Sequence, residues 1–200
     1  MNSMNFERLS KDIFTFLEQN LDQEIDYHTV DHTIEIIENT ITLASAEKIT
    51  GKDFTLLKTA ALLHDMGYTE THIEHEKISC QISSDWLPKY GYNPDDIDKV
   101  NALIMSTRIP QSPANRLGEV LCDADLYYLG GEDYFEKAEL LYSEMKQLKT
   151  IDNERQWLQL QIDFLSSHTF FTETGKKTRE PGKQKNLKSL LAKQNSIKNE

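Results

Sequence analysis

The sequence predicts an all-α protein, a single-domain bundle of many helices. Only 8 glycines and 5 prolines occur in 200 residues, so long stretches of helix-forming residues run without a break. Apolar residues recur at spacings of three and four, as on one face of a helix. No segment alternates between apolar and polar residues in the way that predicts a strand. At this length one domain can bury a core without disulfide bonds.

The first half of the chain predicts four helices, over about 5–21, 29–49, 53–67 and 73–87. The first has its apolar stripe at Phe6, Leu9, Ile13 and Leu17, and the second has its stripe at Val30, Ile34, Ile37, Ile41 and Ala44. We expect Gly51 to end the second helix and Asp53 to cap the third. Pro88 and Gly91 are expected to stop the fourth helix.

The second half predicts four more helices. Asn93 followed by Pro94 is typical of a helix start, and residues 109–113 are expected to form a loop. The sixth helix is expected to carry Asp125 and to end at Gly130-Gly131, and two more should cover about 133–148 and 153–167. We divide the chain into a helical domain, residues 1–174, and a basic C-terminal extension, residues 175–200.

Charge and composition restrict the partners and the compartment. The net charge is −11, but residues 175–200 hold 8 basic and 2 acidic residues, which leaves 14 basic and 31 acidic residues, a net −17, in the rest. Such an acidic body argues against binding of long nucleic acid. Two cysteines, no basic and apolar leader and no apolar stretch of about 20 residues predict a cytoplasmic protein without membrane contact.

Five of the six histidines lie between residues 28 and 75. His64-Asp65 ends a strongly apolar helix, where burial of an imidazole beside a carboxylate is costly without a partner. A divalent metal is one such partner, because it binds neutral imidazole and ionised carboxylate together. The alternative is a pair at a helix end that caps the helix or faces water.

His32 and Asp125 strengthen the metal interpretation, because each also lies in an apolar helix. His32 follows His28 by one helical turn, so both lie on one face of the second helix. Two imidazoles and two carboxylates from three helices suit Mn²⁺, Fe²⁺, Co²⁺, Ni²⁺ or Zn²⁺; Mg²⁺ stays open, although it usually takes more oxygen ligands. Asp123 is the alternative to Asp125. The two side chains are about 200° apart around the helix, so they cannot both face the metal.

The order of a histidine, a His-Asp pair and a distant aspartate resembles the HD-domain superfamily of metal-dependent phosphohydrolases. Here these elements are His32, His64-Asp65 and Asp125, within the contexts Leu-Leu-His-Asp-Met-Gly and Asp-Ala-Asp-Leu. The similarity spans about residues 25–145. The resemblance implies an all-α fold and assigns these four residues as metal ligands. The resemblance is also compatible with a homodimer, and the sequence does not decide between monomer and dimer.

The resemblance also implies catalytic residues. The segment Tyr27-His28-x-x-x-His32 is similar to the opening motif of class I cyclic-nucleotide phosphodiesterases, which makes His28 a general acid and His32 a ligand. In many HD proteins a His-Glu pair follows the His-Asp pair, and His75 and Glu76 match it. The alternative for both is the polar surface of an amphipathic helix. Asp65 is expected to serve both the metal and the reaction.

One stretch departs from the two-metal members of the superfamily. Those proteins usually have a further histidine on the next helix, whereas residues 104–108 here read Ile-Met-Ser-Thr-Arg. Arg108 in that place is a candidate to bind a phosphoryl oxygen, with an ordinary surface arginine as the alternative. Arg179 and Lys185 of the extension are further candidates for substrate binding. The alternative is that the extension is only a helix exposed to solvent.

These residues predict hydrolysis of a phosphoester bond by a metal-activated water. The resemblance implies a small phosphorylated substrate, with a nucleotide favoured, and the phosphodiesterase-like segment favours a cyclic phosphodiester over a monophosphate. The alternative is a catalytically weak HD module that binds a nucleotide or a protein partner as a sensor. A purely structural helical bundle is the third possibility.

Overall fold

The computed structural model describes residues 4–198, and this part contains ten α-helices, three short 3-10 helices and no strand. The α-helices α1 to α10 are, in order, Phe6–Asn20, Val30–Ala46, Gly51–Leu63, His75–Trp86, Pro94–Ser106, Arg116–Asp125, Tyr134–Gln147, Glu154–Ser167, Glu173–Thr178 and Glu180–Lys198. The 3-10 helices cover Met66–Thr69, Leu87–Tyr90 and Tyr127–Gly130. The all-α prediction is therefore confirmed. No helix of the described part is long and apolar enough to span a membrane.

The chain forms two compact units. The first comprises residues through Gln23 together with His28–Asp125, and the second comprises Glu24–Tyr27 and the chain from Leu126 onward. The predicted division at residue 174 stays a prediction, and residues 1–3 and 199–200 of its two parts lie outside the described residues.

The first unit is built around α3. Its residues Leu56, Leu57, Ala60 and Leu63 are fully buried, and α3 packs on both α2 and α5. Helix α6 packs on α2, while α4 packs on α5 and on the 3-10 helix Met66–Thr69. The carboxyl ends of α3 and α6 and the amino ends of α2 and α4 supply the candidate site.

In the second unit α10 packs on α8, on α9 and on the 3-10 helix Tyr127–Gly130. The contact with Gly130 is backbone on backbone, because a Cβ on Gly130 would lie 2.1 Å from the Arg179 carbonyl oxygen. Lys183, Asn186 and Leu190 of α10 are buried. The described part of the predicted extension is therefore a pair of packed helices.

The connection from α2 to α3 differs from the prediction. Helix α2 ends at Ala46, and Lys48 takes the left-handed backbone conformation directly after it, with φ 58°. Gly51, with φ 63°, also takes this conformation, but it lies five residues beyond the end of α2. Helix α3 begins at Gly51, after Thr50. Asp53 consequently lies in the first turn of α3, where its negative charge interacts favourably with the positive end of the helix dipole, and it does not cap the helix.

Candidate metal centre

The amino end of α2 and the carboxyl end of α3 hold the two histidines. The Thr29 hydroxyl accepts a hydrogen bond from the backbone N–H of His32 at 3.4 Å, which starts α2 and leaves His32 buried one turn inside. His64 directly follows α3 and is also buried. Its Nδ1 lies 2.9 Å from the carbonyl oxygen of Ala61. A carbonyl only accepts, so Nδ1 carries a proton, and in the neutral ring the lone pair is on Nε2.

Three side chains converge on one point. His32, His64 and Asp125 each offer one ligand atom, and these atoms all lie within 4.8 Å of one another. Nε2 of His64 is 3.6 Å from Oδ1 of Asp125. Helices α2 and α6 pack together and bring Asp125, 93 positions along the chain from His32, to this point.

Asp65 stands among three imidazoles. Its Oδ2 lies 3.0 Å from Nε2 of His64 and 3.4 Å from Nε2 of His32. Its other oxygen, Oδ1, lies 3.3 Å from Nε2 of His75. The two oxygens of one carboxylate thus face two different groups of histidines.

The electrostatics of the cluster favour charged groups in the absence of an ion. Burial alone would lower the pKa of His64, but the charges of Asp65 and Asp125 outweigh burial and hold that pKa well above its usual value. Burial would likewise raise the pKa of Asp65, but His64, His32 and His75 hold it well below its usual value. The pKa of His75 is raised, because Asp65 and Glu76 outweigh the effect of burial.

The donor set fits a divalent metal. Nε2 of His64 is buried, and within the described residues it makes no hydrogen bond of normal geometry. A bound cation would take that lone pair and offset the buried carboxylate charge, and nitrogen and oxygen donors together suit a first-row transition metal. His32, His64 and Asp125 would hold the ion, and Asp65 lies within reach of both histidines.

Tyr68 connects the two other predicted catalytic histidines. The rings of His28 and Tyr68 are stacked, with centroids 3.9 Å apart and planes 15° apart. The Tyr68 ring is 4.5 Å from the ring of His75. His28 also meets the ring of His32 edge to face at 5.6 Å. The structure therefore brings His28 and His75 close together, with ring centroids 6.2 Å apart.

Helix α4 carries His75 and Glu76, and it approaches the predicted metal ligands because of Gly67. A Cβ on Gly67 would lie 2.1 Å from the carbonyl oxygen of His75, so only glycine allows this approach. The backbone N–H of Gly67 also donates to Oγ of Ser79 at 2.8 Å. Glu76 is buried, and its Oε1 lies 3.5 Å from Nε2 of His75.

The predicted substrate-binding cations have different surroundings. Arg108 is about half exposed and donates to Oε1 of Glu74 at 3.2 Å. Glu74 directly precedes His75 in the chain. Arg179 and Lys185 lie in the second unit, where Arg179 covers the ring of Tyr127 at 3.9 Å and Lys185 is exposed. The roles of all three in substrate binding stay predictions.

Two residues near the cluster were not singled out from the sequence. Gln111 donates from Nε2 to Oδ2 of Asp125 at 3.2 Å, and Tyr68 stacks on His28. Tyr68 follows the His-Asp pair by three positions, which is a signal that could have been used. Nothing in the loop sequence around Gln111 points to Asp125.

The comparisons agree with this geometry. The HD domain model matches residues 29–129, about half of the chain. The stretch contains His32, His64, Asp65 and Asp125. The chain therefore belongs to the HD domain family, and it has the fold of the HD superfamily hydrolases.

Solved structures share this fold. A predicted HD superfamily hydrolase from an uncultured Thermotogales bacterium is 22% identical, with a TM-score of 0.63, and the match covers 97% of this chain and 99% of that one. A Lactobacillus plantarum protein is 18% identical, with a TM-score of 0.68 and coverage of 98% and 100%. Bacillus subtilis YpgQ, solved in complex with ADP, is 18% identical, with a TM-score of 0.60 and coverage of 92% and 94%. No curated protein matches the sequence.

Proposed function

We propose that the protein is a metal-dependent phosphohydrolase that cleaves a phosphoester bond of a nucleotide. The observation that carries this proposal is the convergence of His32, His64 and Asp125 within 4.8 Å, beside a carboxylate that faces both histidines. A bound divalent ion would supply an activated water and would offset negative charge on the phosphoryl group.

The chain's own residues supply the proton chemistry. His28 and His75 both contact the ring of Tyr68, and neither belongs to the converging group of three. His75 Nε2 lies between Asp65 and Glu76, two carboxylates that favour the protonated ring. A protonated imidazole in this position can give its proton to the departing alkoxide oxygen. Arg108 has the planar donor geometry that binds a phosphoryl oxygen, once it leaves Glu74.

A nucleotide is the substrate class that we favour. The Bacillus subtilis protein with this fold was solved with ADP, which supports a nucleotide here as well. The net charge of −17 over residues 1–174 disfavours a long polyanion relative to a small one. Cyclic phosphodiesters and monophosphates both agree with these observations.

Product formation by mass spectrometry tests the proposal. We would incubate the purified protein with Mn²⁺ and separate nucleoside mono-, di-, tri- and cyclic phosphates. The Asp125→Asn variant would run beside it, with Asp53→Asn as the matched control, because Asp53 is an exposed aspartate of the same unit.

We expect turnover of one nucleotide class by wild type and by Asp53→Asn, and a loss of at least about a hundredfold in Asp125→Asn. Equal turnover in all three proteins would contradict the role of Asp125. Tight binding of a nucleotide without any product would instead indicate a binding module that acts as a sensor.

A further inference from the structure

We infer that Gln111 is a positioning residue, which fixes the carboxylate of Asp125 so that one chosen oxygen faces the metal. This inference rests on the proposed metal centre, but it does not depend on the identity of the substrate. Gln111 lies in a loop, and its contact with the predicted ligands is the hydrogen bond to Asp125.

The amide of Gln111 holds one side of that carboxylate. Its Nε2 donates to Oδ2 of Asp125 at 3.2 Å and to the backbone carbonyl oxygen of Cys122 at 3.2 Å. Both partners are oxygen acceptors, so the NH₂ group rather than the amide oxygen must face them. Asp125 is thereby tied to the backbone of its own helix, one turn earlier.

The two oxygens of Asp125 are consequently used for different contacts. Oδ2 accepts from Gln111, whereas Oδ1 lies 3.6 Å from Nε2 of His64. Rotation of the carboxylate would break the hydrogen bond of Oδ2 before it could exchange the two oxygens. Gln111 therefore leaves Oδ1 as the oxygen directed at the site.

The loop that carries Gln111 is anchored on both sides. The backbone N–H of Ser112 donates to the carbonyl oxygen of Ser106 at 3.2 Å. Pro113 packs on Gly118, where an added Cβ would lie 3.1 Å from the Pro113 Cβ. The residue before Gln111 is Pro110, whose ring fixes its own φ. The amide thus reaches Asp125 from a backbone that has few alternatives.

This anchoring has a value for metal binding. The Asp125 side chain is 16% exposed, so without the amide it could turn toward water. The ion would then have to order the carboxylate, at a cost in free energy that the wild-type chain has already met during folding. The charge of Asp125 would be unchanged, and only its orientation would be lost.

Metal titration by calorimetry tests the inference with Mn²⁺ alone as the probe. The variant Gln111→Met keeps the length and removes both donors, and Ser112→Ala is the matched control in the same loop. We expect Gln111→Met to weaken Mn²⁺ binding by about 10- to 100-fold, and Ser112→Ala to leave it unchanged. If Gln111→Met does not fold, Gln111→Asn keeps the amide on a shorter side chain and should weaken Mn²⁺ binding as well.

Two further readouts separate positioning from general damage to the fold. The melting temperature of the metal-free Gln111→Met variant should stay near that of wild type, while the rise on addition of Mn²⁺ becomes smaller. The visible absorption spectrum of the Co²⁺-loaded variant should also differ from wild type, because a carboxylate ligand has changed its orientation.

Wild-type affinity and an unchanged Co²⁺ spectrum in Gln111→Met would overturn the inference and leave the metal centre standing. A wild-type chain that takes up neither ion would overturn the proposed function together with the inference. The two failures are therefore distinguishable.

Discussion

Asp65 determines the charge of the candidate site, because its carboxylate faces three histidines within 3.4 Å. In the metal-free chain the contact with His64 raises the pKa of that imidazole and lowers the pKa of the Asp65 carboxyl. A metal needs the imidazole in its neutral form. Metal and proton therefore compete for Nε2 of His64.

This competition predicts that metal affinity rises with pH. Asp65 and Asp125 hold the pKa of His64 well above its usual value in the metal-free chain, so at any pH below that raised pKa the ion must displace a proton. Below the raised pKa, affinity should increase by up to about tenfold per pH unit for each proton released, and it should level off above that pKa. Calorimetric titration with Mn²⁺ at several pH values checks this. An affinity independent of pH across the neutral range would contradict it.

A second prediction concerns Tyr68, whose ring face supports His28 at 3.9 Å. Tyr68→Phe keeps the stacked ring, and we expect kcat within about threefold of wild type. Tyr68→Leu removes the flat surface that orients the imidazole, and kcat should fall by about 10- to 100-fold, less than the roughly 10²- to 10⁴-fold that a positioned acid contributes, because the imidazole itself remains. Metal content should be unchanged in both variants.

The comparison of kcat with KM separates positioning from weaker substrate binding. Combination of Tyr68→Leu with His28→Ala should cost little more than His28→Ala alone, if the tyrosine acts through that histidine. Fully additive losses in the double variant would show that Tyr68 acts through another group.

The sequence allowed prediction of the residues that converge, but it did not reveal the residues that orient them. His32, His64 and Asp125 belong to a recognisable pattern and lie in apolar helices, where a polar side chain stands out. Gln111 reaches Asp125 from an irregular loop. No periodicity relates these two positions, and an amide has many ordinary uses on a surface. Orienting residues of this kind depend on loop geometry that periodic patterns do not encode.

Among the secondary-structure elements, α4 depends most on a single residue outside it. Gly67 meets the backbone of His75, and a Cβ there would come within 2.1 Å of a carbonyl oxygen. That atom belongs to the backbone, so relief requires the amino end of α4 to move. His75 and Glu76 would move with it.

We therefore predict that Gly67→Ala destabilises the protein by about 1–3 kcal/mol through overpacking and also lowers turnover. Denaturant unfolding and a steady-state assay measure the two effects. Gly51→Asn is the control: Gly51 has φ +63°, which asparagine tolerates, and nothing lies within 4 Å of an added Cβ. Wild-type stability in Gly67→Ala would show that α4 adapts without cost.

Helix positions were more predictable than helix ends. The structure confirms eight predicted helices, because their apolar stripes follow the helical period over several turns. The turn between α2 and α3 differed, since α2 already ends at Ala46 with Lys48 in the left-handed conformation, while Gly51, also left-handed, begins α3. A hydrogen bond from the Ile49 N–H to the Ala44 carbonyl, at 2.8 Å, supports that local arrangement. Local propensity alone does not reveal such a contact.

At the scale of the whole molecule, the basic C-terminal region contributes to a core. Leu190 is only 3% exposed. The Asn186 amide donates to the carbonyl oxygens of Leu129 and Gly131 at 3.0 and 3.2 Å. A polar tail would be expected to stay in solvent. Only one of the three buried residues of α10, Leu190, is apolar, so the sequence of this region did not predict a packed helix.

We predict that removal of residues 175–200 strongly destabilises the second unit. The truncated chain would expose the surfaces of α8 and of the 3-10 helix Tyr127–Gly130 that α10 covers. Thermal unfolding followed by circular dichroism should show a lower melting temperature, by about 10 °C or more, since several buried side chains are lost together. Removal of residues 195–200 alone is the control and should change it little.

The division into two units could not be predicted from the sequence, because long-range contacts define it. In the second unit, for example, the backbone N–H of Tyr27 donates to Oε2 of Glu144 at 2.9 Å, across 117 positions. Helical periodicity is a local property and contains no record of such pairings.

The close approach of Gly130 to the chain at Arg179 also has a consequence for biosynthesis. A ribosome adds residues from the amino end, so this contact cannot form until at least residue 179 has left the exit tunnel. The four predicted metal ligands, in contrast, are all present once Asp125 has emerged. A nascent chain arrested between these two points would already carry the whole ligand set, while its second unit still lacked α10.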